Sequence, residues 1–193
     1  MEEKALNEKE SLELISQMIR NTQQKLERKN GIPFLIWGYV TVIVSLTVWY
    51  MLKITMDAHW NYLWFLIPVL GYTAMLIFSQ KEEKGMKTYI DKVIGYVWIC
   101  MGSAALIVSI SAMFVWMPVY FIILLLIGIG TTITALVIKF KLLIYLGFIC
   151  IMSSEICLII RDMNAILVFA FMFLIMMVIP GHVLYAKKGI QHV

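Results

Sequence analysis

Apolar residues along this chain fall into six long blocks, roughly 32–54, 62–79, 93–116, 118–138, 142–160 and 165–186, separated by short polar turns. A helix needs about 20 mostly apolar residues to cross a hydrocarbon core about 30 Å thick, and each block comes close to that length. The pattern predicts an all-α protein built as a six-helix transmembrane bundle. Residues 7–30 follow a different rule. Leu12, Ile15, Ile19, Thr22 and Leu26 recur at alternating steps of three and four, a short heptad seam that Leu14 and Met18 widen. This predicts an amphipathic helical arm. Asn7 with Glu10 resembles a capping box at its start. Asn30-Gly31 reads as its stop, with Pro33 opening the first span. The expected organisation is an arm over 1–31, a bundle over 32–186 and a short tail over 187–193.

Charge orients this pattern. Threading the six blocks through a bilayer puts fourteen of the sixteen Lys and Arg residues on one side. They are Lys4, Lys9, Arg20, Lys25, Arg28 and Lys29 in the arm, Lys81, Lys84, Lys87 and Lys92 around the 80–92 loop, Lys139 with Lys141, and Lys187 with Lys188. Only Lys53 and Arg161 fall opposite. Positive charge is retained on the cytoplasmic side, so both termini are expected inside. Short outer turns imply three antiparallel hairpins. Within the arm, Glu8, Glu10 and Glu13 precede Arg20, Lys25, Arg28 and Lys29, an order that suits the helix dipole and sets the basic end beside the headgroups.

Composition narrows the function classes. With 62% hydrophobic and 15% charged residues, 193 residues cannot form a water-soluble domain, and six spans plus an arm leave no room for a soluble catalytic one. The net charge of +4 is dispersed at membrane edges, which argues against direct nucleic-acid binding. The N-terminus lacks the basic and apolar regions of a cleaved signal, so the first span is expected to direct insertion. Cys100, Cys150 and Cys157 all lie within blocks, and Cys150 and Cys157 sit two turns apart on one helix, too far for a bridge. Trp49, Tyr50, Trp60, Tyr62, Trp64, Trp116 and Tyr120 read as an outer aromatic belt, with Tyr89, Tyr96, Tyr145 and Tyr185 as the inner one. Trp37-Gly38-Tyr39, Gly95-Tyr96 and Gly147-Phe148 open successive hairpins as a faint internal repeat.

Polar chemistry inside the blocks is sparse. Stripes of small residues run at helical spacing: Gly38, Thr41 and Ser45; Gly71 and Ala74; Gly102, Ala105, Ser109 and Ala112; Gly128, Thr132 and Ala135; Gly147, Cys150, Ser154 and Cys157. Small residues let helices approach closely in lipid, so packing is the first reading and a lipid- or substrate-lined groove the second. Glu155 is the one acid well inside a block. Intramembrane ionisable groups are expensive, which makes it a candidate transport or proton site; an ion pair or hydrogen bond near the outer surface is the plainer reading. His182, after Pro180-Gly181, is a second candidate for proton-linked behaviour. No nucleophile–base pair, cofactor fingerprint or metal-ligand set can be assembled, so neither a catalytic residue nor a cofactor is expected.

The segment Glu10-Ser11-Leu12-Glu13-Leu14-Ile15-Ser16-Gln17-Met18-Ile19-Arg20-Asn21-Thr22-Gln23, followed by Pro33-Phe34-Leu35-Ile36-Trp37-Gly38-Tyr39, resembles the start of a family of small six-helix bacterial inner-membrane proteins. The resemblance spans about residues 10–45. It implies a six-span bundle with a cytosolic N-terminal helix in the bacterial inner membrane, and it brings no activity, substrate or site residue. Members resemble proteins that accompany small winged-helix regulators, which implies a regulatory role. The expectation is therefore a non-enzymatic sensor, scaffold or regulator. Its seam of Leu12, Ile15, Ile19 and Leu26 takes a cytosolic partner, a second copy of itself or the lipid bilayer surface. The alternative is a small homo-oligomeric transporter or channel using Glu155. An impermeant label applied to intact spheroplasts should leave both termini unmodified; labelling of either end overturns the topology.

Overall fold

In the computed structural model, residues 8–79, 89–160 and 162–186 are described; within 8–30, side chains are described at Leu12, Glu13 and Gln17 alone. The regular elements among these residues are all helical. Helix α1 runs from Glu8 to Thr55 as one 48-residue rod, about 72 Å long at 1.5 Å per residue. The stop expected at Asn30-Gly31 is not used. A glycine that ends a helix adopts positive φ, and no described glycine does. Gly31 is instead buried against the last span, where a Cβ would lie 3.2 Å from Leu184 Cβ and 3.3 Å from the Tyr185 nitrogen. Pro33 lies inside the rod rather than at the start of a new helix, and it leaves one i→i−4 bond unmade.

A 3-10 segment, Ala58–Phe65, leads into α2, Leu66–Ser79. Helix α3 covers Tyr89–Ser111, five residues short of the expected end, and a non-helical stretch through Pro118 precedes α4, Val119–Ile138. Lys139, left-handed at φ 56°, turns the chain directly into α5, Lys141–Ser153. Ser154 and Glu155 interrupt the fifth block, and α6 adds one turn, Ile156–Ile159. The sixth block holds α7, Asn164–Phe173, a π-helical turn at Leu174–Val178, and α8, Ile179–Ala186. Six helical stretches, 31–55, 58–78, 89–111, 119–138, 141–159 and 164–185, are long and apolar enough to cross a membrane.

Two helix pairings carry most of the packing. The first joins α1 to α7, the π turn and α8, first span to last. A Cβ on Gly38 would lie 2.8 Å from Val178 Cγ2, and one on Gly181 would lie 2.9 Å from Leu35 Cγ. The second joins α4 to α5, where a Cβ on Gly147 would meet the Thr132 hydroxyl and lie 3.1 Å from its Cα, and one on Gly128 would lie 3.2 Å from the Ile151 nitrogen. Glycine is required at these four positions because neighbouring helices occupy the space of a side chain. Leu124, Ile138, Leu143, Met176 and Leu184 fill the core between the pairs, all at most 1% exposed.

Buried hydroxyls are satisfied within their own helices. Ser45 donates to the Thr41 carbonyl at 2.7 Å, while Thr132 and Thr134 donate to the Gly128 and Gly130 carbonyls at 2.8 Å. This back-bonding removes the penalty of an unpaired polar group in an apolar surrounding. Thr131 Oγ1 is buried with no hydrogen-bond partner among the described residues. The small-residue stripes of the first, second, fourth and fifth spans thus sit at helix contacts; Gly71 lies under the Trp37 ring. The stripe of the third does not, because a Cβ on Gly102 would meet nothing within 4 Å. Gly147→Val is expected to destabilise the purified protein by about 1–3 kcal/mol through overpacking. Gly102→Val should leave its stability unchanged, as read by thermal unfolding in detergent; equal losses would contradict the packing described.

Candidate functional site: an apolar cleft between the second and third spans

Helix α2 leans on α1 and on the 3-10 segment before it, whereas α3 packs along α4. Only 6% of the second and of the third span is buried within the chain, against 28–50% in the other four. These two helices stand apart across an open cleft of about 1790 Å³. That exceeds the ~300–1,000 Å³ typical of small-molecule pockets. Ile32, Pro33, Phe34, Trp37 and Thr41 of α1 form part of its floor, and Ala165, Phe169 and Phe173 of α7 another part. The wall on α3 includes Gly95, Trp98, Gly102, Ala105 and Ser109, while Tyr72 and Met75 lie on the α2 side.

Aromatic contacts shape this floor. Trp37 meets Tyr72 edge-on at 5.5 Å, and Phe34 meets Trp98 at 6.0 Å. The Trp98 indole N–H donates to Thr134 Oγ1 at 3.1 Å, so its one polar atom is satisfied and its ring is fixed. Trp64, Tyr120 and Phe169 form a cluster with ring centres 5.6 Å apart, extended by Phe173 at 4.8 Å. Trp64 and Tyr120 were expected in the outer interfacial belt. Both are half-buried in this cluster at the outer end of the helices, packed against Phe169. Tyr50, Tyr62 and Trp116 are exposed, as belt residues are.

Polar groups lie at the two ends of the cleft. Asp91 and Lys92 stand at one end, His59, Asn61 and Asp162 at the other. Asp57 caps the 3-10 segment there by accepting the His59 backbone N–H at 2.9 Å, and its Oδ1 lies 2.6 Å from His59 Nδ1. The backbone hydrogen bond from His59, then its side-chain bond, holds the Asp57 carboxyl below the usual range. Among the described residues, no three His, Cys, Asp or Glu side chains converge as metal ligands. Between its ends such a surface suits a long apolar molecule.

The residues singled out in the sequence are scattered. Leu12 is 68% exposed on α1, while the side chains of Ile15, Ile19 and Leu26 lie outside the described residues. So do Arg161, the Lys81–Lys84 loop and Lys187-Lys188. Glu155 sits at the break between α5 and α6 with its side chain exposed, and it does not line the cleft. Lys53 lies over the Trp49 ring at 4.8 Å. His182 on α8 has its Nε2 2.7 Å from the Tyr39 hydroxyl of α1, a contact that sequence spacing could not foresee. The Gly102, Ala105 and Ser109 stripe, for which a lined groove is the second reading of the sequence, lies on the wall of the cleft. Comparison with known protein families, with curated proteins and with solved structures finds no match for this chain.

Proposed function

We propose that the chain is a non-enzymatic sensor or regulatory scaffold of a bacterial cytoplasmic membrane, crossing it six times with both ends inside. The lysine distribution supports that orientation, and the six apolar helices supply the spans. One observation carries the functional reading. The helix that forms part of the cleft floor at Ile32, Pro33, Phe34 and Trp37 continues without a break to Glu8, so one rod joins the membrane cleft to the arm. Pro33 lies where the two meet, and a missing backbone bond makes that turn the natural place to bend. Whatever fills the cleft presses on this turn and changes the direction of the arm. The seam of Leu12, Ile15, Ile19 and Leu26 then engages a cytosolic protein or a second copy of itself; a winged-helix regulator is the partner implied by the family resemblance.

The transport alternative draws little from the cleft, because Glu155 is outside its lining and no charged side chain lines its middle among the described residues. Replacing Ile15 and Ile19 together by Glu tests the arm. Membrane levels should stay within about two-fold of the parent, while self-association or partner capture falls by more than about ten-fold, as for loss of central interface anchors. Association and capture that both survive at normal membrane levels would remove the arm from the mechanism.

A further inference from the structure

The cleft is a slot open sideways between two helices, and in a bilayer the molecules beside that opening are lipids. An empty slot of about 1790 Å³ would forfeit the dispersion contacts of every side chain on its walls, so something apolar fills it. The wall on α3 is smooth: a Cβ built on Gly95 or on Gly102 would meet nothing within 4 Å. At the other glycine contacts of this fold a neighbouring helix comes close, and here none does. The slot leaves room for a flexible chain laid along α3.

Charge then separates the two ends. At the far end the cleft is lined by Asp162 and by His59, whose partner is the Asp57 carboxylate. Among the described residues no lysine or arginine lines that end, which disfavours an anion. At the near end, Asp91 lies in the first turn of α3, where the positive end of the helix dipole compensates it. Lys92 beside it is exposed at the mouth of the cleft, and in sequence Arg28 and Lys29 come just before Ile32 of the floor. A lysine beside a dipole-compensated carboxylate at one mouth, carboxylates at the other and no charged side chain between them, among the described residues, match an amphiphile with one anionic head. The geometry points to a phospholipid with an anionic headgroup, its phosphate at Lys92 and an acyl chain along Gly95, Gly102 and Ala105. This names the ligand of the sensor reading above and rests on it.

The full chain is reconstituted in phosphatidylcholine vesicles containing increasing fractions of phosphatidylglycerol or phosphatidylcholine with brominated acyl chains, and tryptophan quenching is recorded. Trp37, Trp64 and Trp98 line the cleft and report on a brominated tail. Half-quenching by the phosphatidylglycerol should come at about a five-fold lower fraction than by the phosphatidylcholine, the worth of one lysine at an anionic surface. Lys92→Gln should bring the two lipids to parity. Gly102→Leu, which has open space for its side chain, should fold normally and reduce quenching by both. Parity in the parent protein, or a preference that survives Lys92→Gln, overturns the proposal. So does disulfide formation between copies bearing Gly102→Cys, which would place a second copy in the slot. Parity together with an arm that still needs Ile15 and Ile19 would discard this ligand while leaving the sensor reading intact.

Discussion

Helices surrounded by lipid are not driven together by water, because the acyl chains outside are as apolar as the side chains between them. Contact must be gained from close fit, and in this chain the fit is made by backbone meeting backbone. Gly31, Gly38 and Gly181 bring the first span against the last, and Gly128 with Gly147 brings the fourth against the fifth. Hydroxyls that would otherwise hold those helices apart turn back onto their own carbonyls. The rest of the architecture follows from these two seams.

Each outlying helix packs mainly on one seam. Helix α2 reaches the first through α1, where Trp37 covers Gly71, and α3 reaches the second through α4, where Trp98 is tied to Thr134. Consecutive in sequence, the two helices belong to different halves of the structure, and the gap between them is the cleft. Its floor is aromatic because it lies where the halves meet: Trp64, Tyr120, Phe169 and Phe173 come from the 3-10 segment, α4 and α7. The apolar opening and the N-terminal arm share one helix, α1, so the two are mechanically joined.

The six apolar helices were legible because hydropathy reports length and composition directly, and their boundaries agree to within a few residues except after Ser111. The junction at Asn30-Gly31 was not, because glycine serves both as a helix stop and as a contact point. Only the neighbour, here α8, decides between them. The same ambiguity left a groove as only the second reading of the small-residue stripes. Gly102 and Gly128 look alike as members of small-residue stripes, yet one faces a helix and the other faces open space. Residue type placed Trp64 and Tyr120 near the outer end, whereas their packing on Phe169, far along the chain, needed the fold. Glu155 stood out for its charge, and charge alone did not bring it to the cleft.

The unbroken course of α1 has a mechanical corollary. About 35 Å of helix extends beyond Gly31 toward Glu8, given 1.5 Å per residue. A tilt of roughly 10° at Pro33 therefore sweeps its tip through about 6 Å, more than one helical pitch. A displacement of barely an ångström among the side chains near the pivot is amplified into a movement large enough to bury or unveil a binding edge. The rod has the proportions of a lever.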